Sequence, residues 1–172
     1  MLIFIRVVER ISGGFGMVAA AIIAPLILAT VYEVFSRYLF NAPTIWAYEL
    51  AYMAMGTNFL LGAAFTLRER GHIRIDLVYA HLSPKGRALI DTIGYTFLVL
   101  PVSWWLSWGL WNYAYNAFLS GETSGESAWN PIIWPFRLVF FLGLLMISLQ
   151  ATVELIKAVY ILCGRDLARG GK

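Results

Sequence analysis

Charged side chains are scarce in this chain, and Glu33, Arg37 and Glu49 fall where chemistry would be unusual. Glu33 and Arg37 are spaced i, i+4 with the acid first, the order that favours an ion pair along one helix face. Between Arg37 and Glu49 the chain reads YLFNAPTIWAY, which contains Asn41, Pro43, Thr44 and Trp46. The flanking segments are apolar, so these charges lie at or just inside bilayer depth, where an ionised group is costly. Acids so placed can pass a proton or a cation, or they can be paired and hold a turn. Glu33 has its partner in Arg37, which favours the anchoring role. Glu49 lies about one turn into the next helix. With Thr44 as cap it gains from the helix dipole; alternatively it pairs with Arg37 across the turn, or with a cation on a partner chain. The 37–50 corner is therefore expected to fix the angle between two helices and to help seat a partner.

Other candidate groups point away from catalysis. His72 and His81 are the only histidines, and both lie in a charged connection rather than in an apolar segment, where haem would need its axial ligands. A zinc site there lacks further His or Cys ligands, so His72 is expected to hydrogen-bond or to meet lipid headgroups. Cys163 is the single cysteine, which rules out an internal disulfide, a CxxC redox pair and a thiolate cluster. No nucleophile–base pair, glycine-rich phosphate loop or carboxylate dyad is present, so no catalytic site, no metal and no cofactor are expected. Ala54, Asn58 and Gly62 recur at a spacing of four, a small-residue stripe that permits close helix approach with Asn58 as a cross-helix hydrogen-bond donor. Trp104, Trp108 and Trp111 share one helix face, suited to lipid contact or to packing on a partner helix, with stacking on a ligand as the lesser alternative.

The elements that position these residues are legible from composition. Hydrophobic residues make up 60% of the 172 and charged residues only 13%, far from the balance of a soluble domain. A spanning helix needs about 20 apolar residues. Runs of that kind place helices at about 11–37, 45–67, 88–113 and 132–162, in one all-α, four-helix integral membrane domain. No cleavable signal peptide is expected, because Arg6, Glu9 and Arg10 precede an apolar run without a small-residue cleavage pattern. Within the connection from helix two to helix three, HIRIDLVYAHL suits a short interfacial helix on lipid headgroups. Of the thirteen Lys and Arg, only Arg37 and Arg137 fall on the side opposite the termini, leaving eleven with them. The positive-inside rule then puts both termini in the cytoplasm. The net charge of +3 follows this topology and does not indicate a nucleic-acid partner.

RYLFNAP–TIWAYEL, the small-residue helix and RGHIRIDLV together resemble the small membrane subunit, DctQ type, of tripartite ATP-independent periplasmic (TRAP) transporters. Arg37, Phe40, Pro43, Trp46 and Glu49 carry the likeness in the first turn, and Gly71, His72, Ile73 and Asp76 carry it in the second connection. Pro135, at the opening of the long fourth helix, also fits. The resemblance implies a multi-pass protein of the bacterial inner membrane that binds lipid and scaffolds a much larger membrane subunit. That partner would hold the sodium and substrate sites, and a periplasmic binding protein would deliver an organic acid. Glu33, Arg37, Pro43, Trp46, Glu49, Asn58, His72 and Asp76 would be structural or partner-contact residues, with Glu122 and Glu126 on an outward docking surface. The alternative is the membrane anchor of a quinone- or haem-linked redox enzyme. A third reading, a small proton-coupled exporter, would use Glu33 or Glu49.

Overall fold

A computed structural model describes residues 2–69 and 82–164. His72, His81, Asp76 and the expected interfacial helix lie outside the described residues. The described chain is helical, with a single isolated β-bridge, between Thr123 and Ile132. Four helices are long and apolar enough to cross a membrane: α1, Leu2–Leu39; α2, Ala47–Arg68; α3, Pro84–Ser120; and α4, Trp134–Leu162.

α1 packs along α2, α3 packs along α4, and α2 and α4 pack on each other as the inner pair. α4 is accordingly the most buried helix. Its contact with α2 is close because Gly143 faces Leu60, whose Cβ would lie 2.8 Å from a Cβ built at position 143. Absence of a side chain there lets two backbones approach in an apolar medium that supplies no hydrophobic drive.

α1 and α3 differ most from their expected spans, each for local reasons. α1 begins at Leu2, well before the apolar run, because Ile5, Val8 and Ser12 continue one buried face back through the charged residues. Ile5 and Val8 pack with Ala64, Met146 and Val153 at the end of the bundle that carries the termini. Pro25 lies within α1 without ending it. α3 starts at Pro84, capped by Ser83, whose hydroxyl accepts from the Gly86 N–H at 3.2 Å. Proline at the first helical position loses nothing, since that N–H has no intrahelical partner. Between Tyr95 and Val99 the helix widens into a π-turn, just before Pro101. A proline ring clashes with the carbonyl four residues back, and the wider turn relieves that contact. α3 then runs on to Ser120, past its expected end, and stops at Gly121 with φ +63°. Glycine adopts that left-handed conformation without a Cβ penalty.

Candidate functional site

At the end of the bundle opposite the termini, the α1–α2 turn and the 121–133 connection meet. The turn is closed by its own residues. Ala42 N–H donates to the Ser36 carbonyl at 3.0 Å, and the Ser36 hydroxyl donates to the Ala42 carbonyl at 2.5 Å. Asn41 supplies a positive φ of 51°, tolerated by asparagine far better than by a branched residue. Pro43 is exposed in the turn. Glu33 gathers the corner: the Arg37 Nε donates to its carboxylate at 2.9 Å, and the Thr44 N–H donates to its other oxygen, also at 2.9 Å. The Thr44 hydroxyl donates to that same oxygen. Tyr32 and Trp46 stack across the corner with ring centroids 6.1 Å apart.

Thr44 therefore does not cap α2, as the sequence suggested; its hydroxyl is taken by Glu33, and Trp46 occupies the cap position without a side-chain hydrogen bond. Nor does Glu49 pair with Arg37. Glu49 is fully buried and turned toward the 121–133 connection, where it accepts from the Ser127 hydroxyl. The same hydroxyl lies 3.1 Å from the Ile45 carbonyl and accepts from the Trp129 N–H at 3.1 Å. One serine thus ties the start of α2 to the connection preceding α4. Tyr48, Tyr52, Phe136 and Phe140 continue the join as an edge-to-face series with centroids 5.8, 5.7 and 4.7 Å apart.

Glu122 is also engaged within the chain. Arg137 forks onto its carboxylate at 2.6 and 2.5 Å, and the guanidinium lies over the Tyr113 ring at 3.6 Å. Backbone bonds from Ile133 to Glu122 (3.1 Å) and from Ser124 to Pro131 (2.9 Å) close the connection around this pair. The Arg137 hydrogen bonds hold the Glu122 carboxyl below its usual range, against a smaller opposing effect of desolvation. A carboxylate with a depressed folded pKa stabilises the fold fully above its ordinary titration range, and the contribution is lost as pH falls through the lower, folded value. Acidification below that range is expected to loosen the 121–133 connection. Cleavage there by an acid-active protease, taken relative to an unstructured peptide at the same pH, should rise with falling pH in the native chain and already be high at every pH in Glu122→Gln.

Deeper in the bundle, the Asn58 amide donates to the Ala19 carbonyl at 2.6 Å and so joins α2 to α1. Trp104, Trp108 and Trp111 share one face of α3, as their spacing indicated, and with Ser107, Phe141 and Leu145 they border an open apolar groove against α4.

A second polar network, at the termini, was not foreseen. The Ser12 hydroxyl donates to Gln150 Oε1 at 2.9 Å, and both residues are fully buried. Lys157 Nζ bridges Glu9 at 2.7 Å and Glu154 at 2.6 Å. Arg68 Nη1 donates to the Glu9 carbonyl at 2.9 Å. Glu9, Glu154 and Lys157 were visible as charges near helix ends, and the i, i+3 spacing of Glu154 and Lys157 was the available signal. Among the described residues no group of three or more His, Cys, Asp and Glu side chains is arranged to hold a metal ion.

The family model for the DctQ component of tripartite ATP-independent periplasmic transporters matches residues 26–160. No curated protein and no solved structure matches the chain. The matched stretch contains the whole Glu33–Glu49 corner and most of the bundle.

Proposed function

Since the chain belongs to the DctQ component family of tripartite ATP-independent periplasmic transporters, a multi-pass membrane component of such a system, we propose that it is the non-catalytic scaffold subunit. On this reading it stabilises the large membrane subunit of a sodium-coupled transporter for organic acids. A periplasmic binding protein would deliver the substrate, and both termini of this chain would face the cytoplasm of a bacterial inner membrane. The family match carries the proposal. The geometry supports it through three ion pairs: Glu33, Glu122 and Glu154 hold Arg37, Arg137 and Lys157 and thereby fasten helices and turns to one another. Orientation is supported by Arg37 and Arg137 lying together at one end while Arg68 and Lys157 meet Glu9 at the other. The alternative of a redox anchor gains nothing from the family, and the exporter reading loses Glu33 to Arg37 and Thr44, which leaves it Glu49 alone.

The test is reconstitution. Large subunit and binding protein, placed in liposomes with an inward sodium gradient, should take up substrate only when this chain is present. Full uptake without it would refute the scaffold role. Arg37→Leu should reduce co-purification with the large subunit, because the Glu33 hub loses its cation; normal co-purification with lost sodium coupling would instead put Arg37 in the ion path.

A further inference from the structure

Near the termini, α1 and α2 leave an open trough lined by Glu9, Arg10, Gly13, Gly14, Met17, Phe65 and Arg68. Its two ends differ in chemistry. Arg10 and Arg68 stand at the polar end, while Gly14, Met17 and Phe65 continue it along the apolar helices. Arg10 is exposed, and no hydrogen bond or ion pair engages it among the described residues. Arg68 is held in place: it donates to the Glu9 carbonyl, lies over the Phe65 ring at 5.5 Å and pairs with Glu69 at 3.0 Å. Its guanidinium crosses Gly13, where a Cβ would come within 2.5 Å of Nη1. One turn beyond Arg10 in the same trough, nothing lies within 4 Å of a Cβ built at Gly14.

The two arginines also share a depth. The charge-free run of α1 begins immediately after Arg10 and that of α2 ends at Arg68, so both guanidinium groups mark one hydrocarbon boundary. The Glu9 carboxylate is taken by Lys157. Lys157 also pairs with Glu154, so Arg10, Arg68 and Lys157 balance Glu9, Glu69 and Glu154, and Arg10 is the member with no carboxylate partner among the described residues.

We propose that this trough binds one anionic phospholipid, its phosphate between Arg10 and Arg68 and an acyl chain lying over Gly14 and Met17. A phosphodiester is a single negative charge with oxygens suited to forked guanidinium donors. An anionic lipid supplies Arg10 with a counter-charge, whereas a zwitterionic one brings an ammonium to the arginines. The inference concerns the isolated bundle and does not rest on the scaffold role, so its test omits the large subunit.

The purified full-length chain in detergent is titrated with phosphatidylglycerol, phosphatidylethanolamine or inorganic phosphate, and bound adducts are counted by native mass spectrometry. Retention of a single phosphatidylglycerol in preference to phosphatidylethanolamine is expected. Arg10→Gln should weaken it about fivefold, in line with about 1 kcal/mol per basic residue at a membrane surface. Gly14→Leu, which fills the open space without altering charge, should abolish it. Equal retention of the two lipids, or phosphatidylglycerol binding unmoved by both substitutions, would overturn the proposal. Binding of inorganic phosphate that resists Gly14→Leu would reduce the site to a simple anion site and overturn its lipid assignment.

Discussion

Lys157→Met is expected to lower the stability of the bundle by about 3 kcal/mol, the cost of stripping one partner from a buried ion pair. Lys157 is the ammonium between Glu9 and Glu154, and the Glu154 side chain is only 5% exposed. Removal of the lysine takes the cation at 2.6 Å from a nearly water-free Glu154 carboxylate, whose other contacts include the Gln150 amide at 3.4 Å. Glu9 is more open and is expected to suffer less. The effect belongs to charge imbalance, so the double variant Glu154→Gln/Lys157→Met should recover most of the loss. Unfolding of the detergent-solubilised chain, followed through its seven tryptophans, measures all three proteins. Lys85→Met, at an exposed position near the start of α3, is the control and should change little. Equal loss in the single and double variants would show that Lys157 contributes packing and not charge.

Gly143→Ala should be costly as well, though it adds a single methyl. The new Cβ would lie 2.8 Å from the Leu60 Cβ and 3.1 Å from the Leu60 carbonyl carbon and oxygen. A side chain can rotate away, but a backbone carbonyl in the facing helix cannot, so α2 and α4 must separate along their contact. Overpacking of this kind costs about 1–3 kcal/mol, and Gly143→Val should exceed it. Gly109→Ala provides the contrast. Nothing lies within 4 Å of a Cβ at that position, and replacing a mid-helix glycine by alanine is neutral or favourable. Thermal unfolding of the three variants side by side separates close approach from a general intolerance of change at glycine. A Gly143→Ala variant as stable as the native chain would remove the α2–α4 contact from its place at the centre of the fold.

The four spans were legible because hydrocarbon imposes a length on apolar runs, and the charges in these runs fall near their ends. The Glu33–Arg37 pair was legible because it is local, fixed by helical spacing alone. Glu49 was not. Its neighbour Ser127 is 78 positions away in the chain, and their meeting depends on α2 packing against α4. That choice leaves little trace in helices that are apolar all round, since no single stripe marks the buried side. Ser12 and Gln150, 138 positions apart, were hidden for the same reason. Hydrophobicity alone does not locate the helix ends, which capping residues set. Gly121 and Ser83–Pro84 carried the better signals, and Arg6 and Arg10 obscured the buried Ile5–Val8 face that continues α1 to Leu2.

The π-turn at 95–99 has a consequence for how α3 faces its neighbours. A wide turn carries one more residue than an α-turn, and one residue of an α-helix corresponds to about 100° of rotation. The tryptophan-bearing half of α3 is therefore out of phase with the half that begins at Pro84, and no single helical wheel describes both. Removal of one residue from the wide turn would swing Trp104, Trp108 and Trp111 off the Phe141 side of α4 while leaving the Ser83 cap untouched. The aim of the whole indole row is thus set by a one-residue phase slip some two turns away.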